Sequence, residues 1–215
     1  MNLSKLSTVF LCLGTLMLSA CSPSENQALA AEPSVPVVSS TSVTKPVPVY
    51  RGNFLKDAAA LAKAEHDLKT LPRFHGKSLK FFDNIVFFSG PRPRIELDIQ
   101  NPENPERIDH YVYWQGTWRR NDILRKPPPP ESLNIAQHLT PLSQVRFADV
   151  AVVAKEWEQK ARSVNAVETD AYYVSFVYLR SENKHFWHTA TIEAIGAQYY
   201  LSFHTDKTVW EFKKL

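Results

Sequence analysis

Between Asn53 and Leu215 the hydrophobic pattern changes period from three or four residues to two, and it does so twice. A helix repeats every 3.6 residues and a strand every two, so each change marks a helix giving way to strands. Phe54, Ala58, Leu61, Ala64, Leu68 and Leu71 form the first stripe, with Asn53 placed to cap it and Pro72 to end it. Residues 79–88 are apolar and aromatic, residues 95–100 alternate strictly, and residues 108–118 are dense in β-formers. Gly90-Pro91-Arg92-Pro93 and Asn101-Pro102-Glu103-Asn104-Pro105 supply turns between them. The second stripe is Phe147, Val150, Ala154, Trp157, Ala161 and Val164, with Asp149 as its expected cap. Strand-like runs follow at 171–179, 186–194, 198–204 and 208–212, and their short connections favour an antiparallel meander.

The expected fold class is α+β, with two helix-then-antiparallel-sheet units in tandem at 50–126 and 142–215. A Pro-rich connection, 127–141, joins them, and Pro127 to Pro130 is expected to be an exposed polyproline spacer. This element order, with the closing Lys207-Thr208-Val209-Trp210-Glu211-Phe212, resembles the tandem α+β arrangement of PepSY-like and β-lactamase-inhibitor-like periplasmic proteins. The resemblance implies a fold and no particular activity.

The chain's beginning follows a different logic. Lys5 precedes a mostly apolar run, residues 6–18, of thirteen residues. A membrane span needs roughly 17–25, so the run suits the core of a signal peptide. Leu18-Ser19-Ala20-Cys21 follows in register and resembles the lipobox of bacterial lipoproteins. The resemblance implies removal of residues 1–20 and lipidation of Cys21, with acylation of its thiol and usually of the new amine. Ser22, where an Asp would imply retention in the inner membrane, implies sorting to the outer membrane if the source is Gram-negative. Membrane lipid, reached through acylated Cys21, is thus the first expected partner. Residues 21–49 hold this cysteine and a Ser-, Pro-, Val- and Ala-rich stretch without aromatics, which cannot bury enough apolar surface to order itself. Such a tether spans about 30 Å as a flexible coil.

Composition removes several functions. Cys12 and Cys21 are the only cysteines, so the processed chain has none for a disulfide, a thiol nucleophile or a cysteine zinc site. The net charge of +3, falling to +2 without Lys5, is no nucleic-acid footprint, and no nucleic-acid partner is expected. No phosphate-binding loop, nucleophile elbow or zinc-protease motif occurs, and no cofactor, metal or catalytic residue is expected. Ser181-Glu182-Asn183-Lys184 matches the Ser-x-x-Lys spacing of acyl-enzyme hydrolases, but it falls in a hairpin loop, where the lysine is not held against the serine. His185 and His188 should lie on opposite strand faces, too far apart to share a metal.

The domain is rich in aromatics, including Trp114, Trp118, Trp157, Trp187 and Trp210. Most are expected in the core, with Trp157 on the second helix stripe. Arg92, Arg94, Arg107, Arg119, Arg120, Arg125 and Lys126 crowd the first half and read as a solvated rim. In the last meander, Tyr199, Leu201, Phe203, Ala190, Ile192 and Ala194 should face a helix. Thr189, Thr191, Glu193, Ser202 and His204 should face solvent and form the candidate binding face. Any ligand should meet that face, its edges or the groove between the two halves. The function expected is a membrane-anchored envelope lipoprotein, a non-enzymatic module that binds another envelope protein or a cell-wall component. An envelope hydrolase using His and a carboxylate, or a purely structural lipoprotein, are the alternatives.

Overall fold

The computed structural model describes residues 52–121 and 134–215. The signal peptide, Cys21, the tether, Arg125, Lys126 and Pro127 to Pro130 lie outside these residues.

Asn53 caps a short 3-10 turn, Phe54–Lys56, by accepting the Leu55 N–H at 2.9 Å. The helix proper, α1 (Ala58–Lys69), starts after Asp57, whose carboxylate accepts the Ala60 N–H at 2.9 Å. Phe54, Leu61, Ala64 and Leu68 of the stripe are buried, whereas Ala58 is exposed. The strands β1 (Lys80–Phe88), β2 (Arg94–Gln100) and β3 (Ile108–Trp114) follow as an antiparallel meander. The expected third strand is in fact two. Gln115 and Gly116 take φ of 52° and 78°, so the chain reverses in two residues and returns as β4 (Thr117–Arg120). Positive φ at two successive positions is the geometry of a tight primed turn, which β-propensity alone does not reveal.

The second half repeats the plan. A three-residue strand, β5 (Leu139–Pro141), precedes α2 (Asp149–Ser163). Asp149 is the first helical residue and not the cap. Ala148 holds the cap position, and the Asp149 carboxylate instead meets Arg146 and Lys207. Then come β6 (Tyr173–Leu179), β7 (Lys184–Thr189), β8 (Ile192–Ala194), β9 (Ala197–Phe203) and β10 (Val209–Lys214). The expected strand over 186–194 breaks at Ala190 and Thr191, because β9 pairs first with β8 and then with β7.

The protein is α+β, with two helices and a large antiparallel sheet. The sheet is continuous, in the order β10-β9-β7-β6-β1-β2-β3-β4. The first strands of the two meanders, β1 and β6, pair with each other, Asn84 with Val177 through Phe88 with Tyr173. No groove therefore separates the halves along this seam. Both helices lie on one face, over a single cluster that includes Phe87, Phe147, Trp157, Phe176, Trp187, Leu201 and Phe203. The Phe147 N–H donates to Glu65 of α1 at 2.8 Å, and Trp118 Nε1 donates to the Ala64 carbonyl at 2.7 Å. Trp157 lies on the buried stripe, as its spacing requires, and its Nε1 donates to the Ala190 carbonyl at 2.8 Å. Among the described residues no helix is long and apolar enough to cross a membrane.

Candidate functional site

With both helices on one side, the other side of the sheet bears residues that alternate with the core. The register places Arg94 opposite Trp114 and opposite Phe88, and Phe88 opposite Tyr173. His188 stands opposite Ser175 and Ser202. Rings run along this face: Phe88 to Tyr173 at 6.4 Å, Tyr173 to His188 at 5.7 Å, and His188 to Tyr200 at 5.8 Å. Phe186 meets Trp210 edge-on at 5.3 Å, and Trp210 stacks on His204 at 5.4 Å. The sequence predicts a polar outer face. The structure makes it aromatic, because the strands at the centre of a wide sheet are flanked on both sides and their outer side chains shelter one another.

The five residues of the candidate face consequently separate. Thr189 is 2 % exposed on the helix side and donates its hydroxyl to the Leu201 carbonyl at 2.7 Å. The strand ends at Thr189 and resumes at Ile192, so Thr191 falls between strands and is exposed whereas Thr189 is buried. Ser202 is on the outer side but only 1 % exposed, beside the His188 strand. Thr191, Glu193 and His204 are exposed, and Glu193 accepts from Gln198 at 2.9 Å. Ile192 and Leu201 are fully buried, as the alternation predicts.

The histidines divide as the strand period requires. His185 stacks on Phe176 and shares a 2.8 Å hydrogen bond with Thr140, whereas His188 sits among the outer rings. Burial lowers the pKa of both, so each is neutral at ordinary pH. Neither is beside a carboxylate. Two other histidines are: His110 bonds Asp98 at 2.6 Å, and His138 bonds Asp83 at 2.8 Å. Neither pairing is readable from sequence, since each depends on strand register or on a bulge, Asp83 having a φ of 58°. No hydroxyl is bonded to His110 or His138 among the described residues, and no group of three His, Cys, Asp or Glu could hold a metal. Lys184, of the Ser-x-x-Lys match, pairs with Glu182 at 3.2 Å within the hairpin loop.

At the end of the outer face where β2 and β3 meet lies an open groove of about 650 Å3, lined by Pro91, Arg92, Arg94, Glu96, Trp114 and Tyr172, with Val112 and Asn121. Trp114 is 40 % exposed and Tyr172 55 % exposed, and Trp114 is the most exposed of the five tryptophans. Both lie beside turns of the chain. Trp114 directly precedes the two-residue turn, and Tyr172 lies against Gly90, where a Cβ would sit 3.6 Å from the ring. Gly90 has a φ of +82°, a conformation that glycine adopts without strain. The Arg94 guanidinium lies over Phe88 and its Nε donates to Glu96 at 2.5 Å. The exposed Arg92 has no side-chain partner among the described residues. The arginines that the sequence suggests are a uniform rim therefore differ. Arg107 and Arg120 approach the buried Asp109 carboxylate, at 2.7 and 4.0 Å, whereas Arg92, in a groove, stands unpaired among the described residues.

No family model and no curated protein matches the chain. Among solved structures, it is similar to a crystal structure of a Clostridium difficile 630 protein provisionally described as a lipoprotein, with a TM-score of 0.43 and 10 % identity. The match covers 76 % of this chain and 99 % of that one.

Proposed function

We propose that this chain is a lipid-anchored module of the bacterial envelope that binds another envelope component and does no chemistry of its own. The anchoring half rests on Leu18-Ser19-Ala20-Cys21 in register behind the apolar run of residues 6–18. Two or three acyl chains on Cys21 hold a protein at a membrane far more firmly than the single chain that is marginal alone. If the source is Gram-negative, Ser22 places the anchor in the outer membrane. The binding half is carried by one observation: Trp114 and Tyr172 stay exposed around a groove with a guanidinium unpaired among the described residues. Aromatic side chains dominate binding energy when a partner desolvates them.

Two experiments test the two halves. Cys21→Ser should abolish fatty-acid labelling and release the protein from carbonate-washed membranes. Retention in those membranes would refute the anchor. A photo-crosslinking residue at position 114 should give a discrete adduct in intact cells, and one at exposed Val152 on α2 should not. An unmodified protein at both positions would refute a binding role for the groove.

The hydrolase reading draws its one specific support from the Asp98–His110 and Asp83–His138 pairs. Each orients an imidazole, and among the described residues no side-chain hydroxyl is bonded to either ring.

A further inference from the structure

The groove's lining indicates what chemistry it would recognise. Its walls include two exposed aromatic side chains, and its charged groups are of both signs: the Arg92 guanidinium, unpaired among the described residues, and the Arg94–Glu96 ion pair, with Asn121 beside them. Arg94 already occupies one Glu96 oxygen, and no described partner takes the other. A polyanion such as a nucleic acid would meet repulsion from Glu96 and find a single unpaired cation. A purely apolar ligand would leave Arg92 and Glu96 desolvated without partners. Pyranose rings satisfy both requirements. Their C–H faces cover aromatic side chains, their hydroxyls donate to a carboxylate, and an appended carboxylate pairs with a guanidinium in bidentate geometry. The groove is open, which suits a segment of a longer chain, and its volume lies within the range of about 300–1,000 Å3 found for small-ligand clefts.

We infer that the Trp114–Tyr172 groove binds a carboxylate-bearing oligosaccharide, with sugar faces on the two rings, hydroxyls on Glu96 and the carboxylate on Arg92. This rests on the binding role proposed above and names its ligand class. The ion pair with Arg92 distinguishes acidic sugars from neutral ones of the same length.

The test uses the purified lipidated protein in detergent micelles, with binding read by saturation-transfer NMR. The probes are a peptide-free oligosaccharide of alternating N-acetylglucosamine and N-acetylmuramic acid, the same oligosaccharide with its carboxylates amidated, and chitotetraose. The acidic strand should bind, and the amidated strand and chitotetraose should bind about tenfold more weakly, as expected for loss of the solvent-exposed carboxylate–guanidinium pair. Arg92→Gln should erase that difference, and Trp114→Ala or Tyr172→Ala should abolish binding of all three. Equal binding of acidic and amidated strands would overturn the role of Arg92. Binding that survives both aromatic substitutions, or no binding to the wild-type protein, would overturn the inference. If no oligosaccharide binds while the crosslinker at position 114 captures a protein in cells, the module reading stands and the saccharide inference falls. If neither probe nor crosslink reports, both fall.

Discussion

The guanidinium carbon of Arg94 lies 3.8 Å from the centroid of the Phe88 ring, directly across the β1–β2 pair. The two residues are register partners, so the cation is held over the ring by the sheet itself. The same arginine reaches Glu96, and Phe88 also meets Tyr172 edge-on at 5.9 Å. The groove thus stands on a layer of paired side chains tied to the central strand.

Arg94→Gln should therefore lower stability by about 0.5–2 kcal/mol, the range of a partly desolvated cation–π contact. Urea denaturation of the variant checks this, and an unchanged midpoint would show that the contact contributes nothing in solution.

Gly90→Ala should destabilise the protein by about 1–2 kcal/mol, since an L-residue at φ +82° is strained although the space around Tyr172 admits a methyl group. Gly196→Ala, at φ +71° with open space around it, should carry a similar backbone penalty far from the groove. Comparing the two by thermal unfolding and by ligand binding separates strain from damage to the Tyr172 wall.

Leu201→Ala should cost about 2–5 kcal/mol through lost burial and the cavity it leaves. Thr189→Ala should cost about 1–3 kcal/mol, because the Leu201 carbonyl loses its buried donor. Thr191→Ala, at an exposed position, should change stability by less than about 0.5 kcal/mol. Chemical denaturation of the three variants gives the order, and a tolerant Thr189 would mean that its hydroxyl bond is not formed.

Stability should decline as the pH falls below about 6.5. Burial lowers the pKa of His188 and of His185, so the unfolded chain binds protons first. Above the ordinary histidine value both states are neutral and the pair has no pH-dependent effect. Below it the unfolded state gains protons that the folded state refuses, until the folded imidazoles also titrate. His188→Phe, surrounded by Tyr173, Phe186 and Tyr200, should flatten this slope in melting temperatures recorded from pH 8 to pH 5. An unchanged slope would mean that His188 is not excluded from protonation by the fold.

The local elements follow from the residue pattern alone. The stripe around Trp157 and the alternation at Leu201 and Phe203 report which residues are buried, because helix and strand periods follow from backbone geometry alone. The tight turn at Gln115 and Gly116 is marked in the sequence by its glycine alone, and the β-formers on either side read as one continuous strand. The tertiary structure decided the rest. Pairing of β1 with β6 fuses the two halves into one sheet and removes the seam as a groove. That pairing joins residues about ninety positions apart, a choice that no local period encodes. It also sets which outer side chains neighbour one another. Thr189 and Ser202 look equivalent as polar strand residues, yet one is buried against a carbonyl and the other beside a row of rings. Arg92 and Arg107 look equivalent as loop cations, yet Arg107 is tied to Asp109 and Arg92 is left to solvent. Exposure belongs to the neighbours that folding brings from elsewhere in the chain, and so the groove between Trp114 and Tyr172 became visible only in three dimensions.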